Sequence, residues 1–199
     1  MSPDRVCVIA CGMIAREVRA VLAQSGLDHV ELRALNANFH HMPDKIPAAA
    51  EDAILKAKSE GFTRILIGYA DCGTGGLLDK VCEKHNAVRL RGPHCFSFYQ
   101  GVEESALRAD EDMTTFFITD FLARQYEAFF LKPLGLDRHP ELRDMYFGHY
   151  KKAVYIAQTD DPELTVRAKE LAGILRLTFE RRYTGYGDLS VELPERLAS

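Results

Sequence analysis

Short continuous apolar runs alternate with stretches of helical spacing along the first half of the chain. The apolar runs predict strands over residues 6–10, 30–35, 64–69 and 88–90, because strands buried on both faces of a sheet are continuously apolar. Helical spacing predicts intervening helices from Ile14 to a cap at Gly26, from 47 to 59, and from the glycines after residue 71 to about His85. Residues 36–47 form a polar loop. The first half therefore predicts parallel strands joined by helical crossovers.

The pattern changes in the second half of the chain. From Cys95 to about Tyr150 the apolar positions have helical spacing, and strand and helix then return over residues 153–157, 162–175 and 178–180. This alternation predicts an open, mostly parallel α/β sheet of the flavodoxin or Rossmann type with flanking helices. We expect a single domain over residues 1–199, in which 96–150 form a mainly helical insertion after the fourth strand.

Composition narrows the function classes. The chain has 199 residues, is 47% hydrophobic and 27% charged, and has a net charge of −4 spread along its length. Because no basic patch occurs, nucleic acid is not expected as a partner. No apolar run reaches the roughly 18 residues of a membrane span, and the pattern of the first residues predicts a strand and no signal peptide. Five cysteines without a disulfide framework are typical of a reducing compartment, so the sequence predicts a cytoplasmic protein with free thiols.

Three cysteines follow three different predicted strands. Cys11 follows the first strand, Cys72 the third and Cys95 the fourth. Ligands of open α/β sheets bind beyond the carboxyl ends of the strands, near the point where the strand order reverses. If the strand order is 2-1-3-4-5, all three thiols meet at that edge. Cys7, inside a strand, and Cys82, on a helix, are expected only to pack.

A cluster of three thiolates is typical of a soft-metal site. Zinc would be held by Cys11, Cys72 and Cys95 with a histidine or water as fourth ligand, and a [4Fe–4S] cluster would leave one iron free. His94 and His40 or His41 lie on loops at the same edge, and we take His41 as the metal ligand. Nearby histidines favour zinc slightly. The predicted catalytic residues are Cys72, His94 and His149, acting on a small-molecule substrate.

Glycines lie beside two of the cysteines. Gly12 follows Cys11, and Gly73, Gly75 and Gly76 follow Cys72. The segment after residue 71 is similar to a glycine-rich anion cradle opening a helix, so these four glycines are candidate cofactor-binding positions. The alternative is that they only permit the tight turn that presents Cys72. The absence of a Lys-Ser/Thr pair and of a full G-x-G-x-x-G motif argues against a nucleotide.

Two other functions are compatible with the same residues. One is a non-catalytic metal- or cofactor-binding protein, which would have a closed site of four ligands. The other is a metal-free enzyme in which one cysteine of low pKa is the nucleophile.

Motifs spread over most of the chain resemble a known family. Cys-Gly at 11–12 and the segments 68–76, 93–101, 116–122, 155–162 and 184–189 together resemble domain of unknown function 1638. The resemblance implies an association with corrinoid-dependent methyltransferase systems, in which a zinc thiolate site activates a thiol acceptor. The chain contains neither the corrinoid-binding Asp-x-His-x-x-Gly signature nor the His-x-Cys pattern of zinc methyltransferases. The resemblance therefore implies a partner or accessory of a corrinoid protein or methyltransferase, not the corrinoid carrier.

Overall fold

A computed structural model describes residues 5–107 and 113–198 of the chain. The chain divides into two compact units, each with its own parallel sheet. The first unit contains the residues up to Phe98 together with those from Tyr186 onward, and the second unit is Tyr99–Gly185. The predicted open, parallel α/β fold with flanking helices is confirmed. That residues 1–199 form a single domain stays a prediction.

The first unit is built on four parallel strands. They are β1 (Val6–Cys11), β2 (Glu31–Leu35), β3 (Arg64–Gly68) and β4 (Val88–Arg89), in the order β2-β1-β3-β4. The strand order reverses between β1 and β3, so this half of the predicted order is confirmed. All six residues of β1 are buried, which agrees with its continuous apolar sequence.

Helices cover this first sheet. They are α1 (Ala15–Gln24), α2 (Ile46–Ser59), α3 (Leu77–His85) and the C-terminal helix Leu189–Ala198. The predicted polar loop after β2 contains two short 3-10 turns, Ala37–His41 and Pro43–Lys45. The C-terminal helix packs against the buried face of α1, so the end of the chain completes the unit begun by its first strand.

A glycine permits the close approach of β1 and β3. Gly68 is paired with Ala10 across the ladder, and a Cβ at residue 68 would lie 2.9 Å from the Cβ of Ala10. We expect Gly68→Ala to lower the free energy of unfolding by about 1–3 kcal/mol because it overpacks this contact. Urea denaturation measures the loss. Gly173→Ala, at an exposed helical glycine with open space around it, is the control and is expected to be neutral or stabilising. Equal stability of the two variants would contradict the packing argument.

The second unit contains a separate parallel sheet. Its strands are β5 (Thr115–Thr119), β6 (Lys152–Ala157) and β7 (Thr178–Tyr183), in the order β5-β6-β7. The strand predicted at 153–157 as the fifth of one sheet is β6, so its predicted place beside β4 is wrong. Strand β5 lies inside the segment predicted to be mainly helical. There the helical spacing of Phe117 and Phe121, four residues apart, runs across two different elements, the strand and the helix that follows it.

Helical elements surround this second sheet. They are Ser97–Gln100, which spans the boundary between the units, Val102–Leu107, Asp120–Gln125, the π-helix Tyr126–Leu131, Leu142–Phe147 and Pro162–Ile174. The last of these is capped by Asp161, which accepts from the amides of Glu163 at 2.8 Å and Leu164 at 3.4 Å. Asp161 is therefore the N-cap of this helix.

A buried carboxylate joins the strand ends of the second unit. Asp120, at the end of β5, is fully buried. One of its oxygens accepts from the Tyr155 hydroxyl at 2.8 Å and the Gln158 amide at 3.0 Å. The other accepts from the amide and hydroxyl of Thr159 at 3.0 and 2.5 Å. Four donors satisfy a group that would be costly to bury without them, so Asp120 ties β5 to the end of β6.

Candidate functional site: a three-cysteine cluster

Three cysteines meet at the carboxyl edge of the first sheet. Cys11 is the last residue of β1, while Cys72 and Cys95 lie on the loops that leave β3 and β4. The sulfur atoms of Cys72 and Cys95 are 3.1 Å apart. The thiols of Cys95 and Cys11 are near enough that each shifts the pKa of the other, so Cys95 is the central member of the cluster. The structure thus brings together the three thiols that topology predicts at this edge.

Backbone hydrogen bonds hold the two loops in register. The amide of Asp71 donates to the carbonyl of Gly92 at 3.0 Å, and the amide of Cys72 donates to that of Pro93 at 2.9 Å. These bonds join the two loops beyond the ends of β3 and β4. They hold Cys72 and Cys95 near each other.

The C-terminal helix holds the loop that carries Cys95. The carboxylate of Glu192 accepts from the amide of Arg91 at 3.1 Å, and the amide of Asp188 donates to the carbonyl of Phe98 at 2.7 Å. One bond is made before Cys95 in the sequence and the other after it, so residues 91–98 are held at both ends. Residues nearly 100 positions away in sequence therefore help to place its thiol.

The three thiols differ in their electrostatic surroundings. The hydrogen bond from Cys95 lowers the pKa of the Cys72 thiol, and it also lowers that of Cys11, with further help from the amides of Met13 and Ile14. Cys95 shares its proton with two sulfur neighbours and is desolvated, so its pKa is raised well above the usual value. The cluster therefore favours proton loss from Cys11 and Cys72 over proton loss from Cys95.

A buried tyrosine hydroxyl lies against the cluster. Tyr69 is 1% exposed, and its hydroxyl has no hydrogen-bond partner of good geometry within the part of the chain that is described. Burial and the neighbouring sulfur of Cys11 raise the pKa of Tyr69. Its proximity to the thiols was not predicted. The signal is its place at the end of an apolar strand run, two residues before Asp71.

Asp71 organises the glycine-rich turn after β3. Its carboxylate accepts from the Thr74 hydroxyl at 2.9 Å and from the amides of Gly75 and Gly76 at 3.2 and 2.9 Å. These bonds lower the pKa of Asp71. The amides of Gly75 and Gly76 thus donate within the turn, and the predicted cofactor-binding role of these two glycines stays a prediction. The turn presents Cys72, which has a φ of 50°, in a left-handed conformation that is uncommon for a non-glycine residue.

Close backbone contacts at Gly12 and the backbone conformation at Gly73 account for glycine at the other two candidate positions. A Cβ at Gly12 would lie 2.6 Å from the carbonyl oxygen of Leu35 and 2.9 Å from the amide nitrogen of Ala37, so the end of β2 leaves no room for a side chain. Gly73 has a φ of +82°, a conformation that favours glycine. The backbone geometry alone accounts for glycine at residues 12 and 73. The cofactor-binding role of Gly12 and Gly73 stays a prediction.

The candidate histidines are placed differently from one another. His94 is exposed and stacks on Phe96 with ring centroids 5.2 Å apart. His40 and His41 lie in the 3-10 turn after β2, and desolvation and the charges of His41 and His94 lower the pKa of His40. The imidazoles of His41 and His94 are thus close enough to His40 to influence its pKa. His149 lies in the second unit, exposed and with its ring 4.1 Å from that of Tyr150, and its catalytic role stays a prediction.

The sulfurs of Cys72 and Cys95 lie closer together than two thiolates on one metal ion would. Within residues 5–107 and 113–198, no group of three or more His, Cys, Asp or Glu side chains has the spacing of a ligand set. Zinc–sulfur bonds of about 2.3 Å place tetrahedral thiolates about 3.8 Å apart. The sulfurs of Cys72 and Cys95 are 3.1 Å apart, so they would have to separate by less than about 1 Å. Side-chain rotation on the two loops is the smallest movement that would open the cluster.

Thiol reactivity tests these electrostatic differences. Burial raises the pKa of Cys7 and of Cys82 to about 11, so each is on the order of 0.1% thiolate at pH 8. Cys82 lines a groove of about 330 Å³ beside β4 but is itself buried, so both its raised pKa and its burial slow its reaction. In metal-free protein at pH 8, we expect iodoacetamide to label the half-buried Cys72 at least tenfold faster than Cys82. Tryptic mapping of timed samples measures the rates in peptides 65–80 and 81–84.

Urea-unfolded protein is the control for that comparison, because all five cysteines should then react at similar rates. Equal labelling of Cys72 and Cys82 in the folded protein would show that the cluster does not activate its thiols.

The fold and the cluster define an α/β protein with a thiol-rich site at the point where the strand order of its first sheet reverses. Residues 34–192 match the family described as "Protein of unknown function (DUF1638)", and the chain belongs to this family. The match includes Cys72 and Cys95, while Cys11 precedes it. No curated protein and no solved structure matches the chain. In the residues described, no helix is long and apolar enough to cross a membrane.

Proposed function

We propose that this protein is a metal-dependent enzyme acting on a small molecule, with Cys11, Cys72 and Cys95 as the metal-binding thiolates. The observation that supports this most is the convergence of the three thiols, with two sulfurs 3.1 Å apart, from the ends of three strands. Packing explains buried cysteines one at a time, as for Cys7 and Cys82. It gives no reason for three thiols to meet at the edge where α/β proteins bind ligands.

The chemistry of the donors suits a soft divalent cation. Three neighbouring thiols without a cation must share protons, because adjacent thiolates repel one another. A divalent cation would stabilise all three thiolates at once. Zinc is favoured, with a water or one of His41 and His94 as the fourth ligand, because imidazole suits zinc.

The residues around the thiols support a catalytic more than a purely structural site. A zinc ion bound by three thiolates supplies Lewis-acid activation of a bound water or thiol. Cys72 and Cys95 are half-buried, so a small molecule can reach them, whereas Cys11 and Tyr69 are buried. Methyl transfer with a corrinoid partner is the reaction class that the family resemblance suggests. The free thiols suit a reducing, cytoplasmic setting.

Metal content and colour test the proposal. Protein purified without oxygen is expected to contain about one metal ion per chain after dialysis, as measured by inductively coupled plasma mass spectrometry. A colourless protein containing zinc supports the favoured metal, and a brown protein absorbing near roughly 400 nm supports an iron–sulfur cluster. Cys82→Ser, which removes a thiol outside the cluster, should retain the same metal content. Protein that binds neither zinc nor iron after anaerobic reconstitution would overturn the proposal.

A metal-free cysteine enzyme is the second candidate, and the lowered pKa of Cys72 favours it. Chelation distinguishes the two functions. If the thiols bind metal, labelling of Cys72 accelerates when a chelator is added to the loaded protein. If Cys72 is a free nucleophile, the labelling rate is the same with and without chelator.

A further inference from the structure

Cys72 and Cys95 are more closely associated with each other than a set of metal ligands requires. Their sulfurs are 3.1 Å apart, whereas thiolates on one zinc ion are about 3.8 Å apart. Two backbone hydrogen bonds, from Asp71 to Gly92 and from Cys72 to Pro93, hold their loops side by side. Both side chains are half-buried, so a small oxidant can reach them. Two thiols in this arrangement can form a disulfide with little movement.

We propose that Cys72 and Cys95 form a reversible disulfide when a hydroperoxide oxidises the protein, and that this bond removes two of the three thiolate ligands. The pairing of these two cysteines is independent of any metal. Only its consequence, the loss of metal binding on oxidation, rests on the proposed function.

The geometry selects this pair from the five cysteines. A disulfide requires a sulfur–sulfur distance of about 2.05 Å, so the two atoms need to approach by about 1 Å. Rotation of the side chains supplies such a movement while the backbone pairing of the loops is kept. Cys11 is 5% exposed and fixed at the end of β1 by pairing with Leu35. Cys7 and Cys82 are also buried, so they are less accessible to the oxidant.

The chemistry proceeds in two balanced steps. The sulfur of Cys72, as thiolate, attacks one oxygen of hydrogen peroxide, the O–O bond breaks, and a sulfenic acid and hydroxide form. The hydroxide takes the proton released by the Cys72 thiol and leaves as water. Cys95 then attacks the Cys72 sulfur, the S–S bond forms and the S–O bond breaks. The departing hydroxide takes the Cys95 proton, so two thiols and one peroxide give one disulfide and two waters.

Peptide mapping of oxidised, metal-free protein tests the pairing. Chelator-treated protein is exposed to one equivalent of hydrogen peroxide, its remaining thiols are blocked, and it is digested with trypsin without reductant. We expect a cross-link between peptides 65–80 and 92–108, which contain Cys72 and Cys95, and its loss on adding dithiothreitol. Cys82→Ser should form the same cross-link, and so should Cys11→Ser. Cys95→Ser should form none, and should give a Cys72 sulfenic acid that dimedone traps.

Several results would overturn the inference. A cross-link of Cys95 to Cys11 in place of Cys72 would show that the wrong pair was chosen. Wild-type protein that yields only sulfinic acid, or only disulfides between chains, would show that the two sulfurs do not reach each other.

The same samples separate this inference from the proposed function. If the oxidised protein takes up no zinc and the dithiothreitol-reduced protein takes up about one equivalent, both proposals are supported. A Cys72–Cys95 disulfide in a protein that never binds metal would support the pair and contradict the metal site. Metal binding by a protein that forms no such disulfide would support the metal site and contradict the pair.

Discussion

Cys95→Ser is expected to lose bound metal more completely than any other single cysteine substitution in this chain. Cys95 is the central thiol, because it contacts both Cys72 and Cys11. Structural zinc binding of roughly 10–16 kcal/mol, divided over four ligands, gives about 2.5–4 kcal/mol per ligand. The expected loss of zinc affinity is therefore on the order of 100- to 1,000-fold. Competition with a chromophoric chelator, performed anaerobically, measures it.

Two variants make this result specific to the cluster. Cys82→Ser is the matched control, since it removes a buried thiol of the same unit and should retain wild-type affinity. Circular dichroism and urea denaturation show whether Cys95→Ser is folded. A folded Cys95→Ser protein that binds zinc as tightly as Cys82→Ser would remove Cys95 from the proposed ligand set.

The largest effect on stability is expected at Asp120. Asp120→Ala leaves four donors without their acceptor, from Tyr155, Gln158 and Thr159, in a fully buried place. Each buried donor left unsatisfied costs about 1–3 kcal/mol, and because such costs are not additive we expect a total loss of about 3–5 kcal/mol. Urea denaturation followed by circular dichroism measures the change in the free energy of unfolding.

Asp161→Ala is the matched control for Asp120→Ala. It also removes a carboxylate that accepts from two backbone amides of the second unit, but at a partly exposed helix N-terminus. The loss of such a cap costs about 1 kcal/mol. Similar small losses in the two variants would show that the buried network contributes no more than an ordinary helix cap.

The sequence predicted the cluster because the necessary information is local and topological. Buried parallel strands have a continuous apolar pattern, and Cys11, Cys72 and Cys95 each follow one. Because ligands of α/β proteins bind beyond the carboxyl ends of strands, the three thiols were predicted to form a site at that edge. The hydrogen bonds that hold the loop of Cys95, from Arg91 to Glu192 and from Asp188 to Phe98, could not be predicted, since they depend on how residues 186–198 return to the first unit.

The second sheet was missed for a different physical reason. Strand β5 runs directly into the helix Asp120–Gln125 without a glycine or proline between them. Its phenylalanines therefore merge with those of the following helix into one apparent helical period. The segment Thr115–Thr119 is nevertheless rich in β-branched and aromatic residues, which favour strands. That composition is the signal that should have outweighed the spacing.

The return of the C-terminal helix to the first unit has a consequence for how that unit folds. This helix contacts α1 and holds the loop of Cys95 through Glu192. The whole second unit, Tyr99–Gly185, lies between that loop and the helix in the sequence. The contacts that fix the Cys95 loop therefore close a long segment of chain, and contacts of such high sequence separation form late in folding because the entropy of loop closure opposes them.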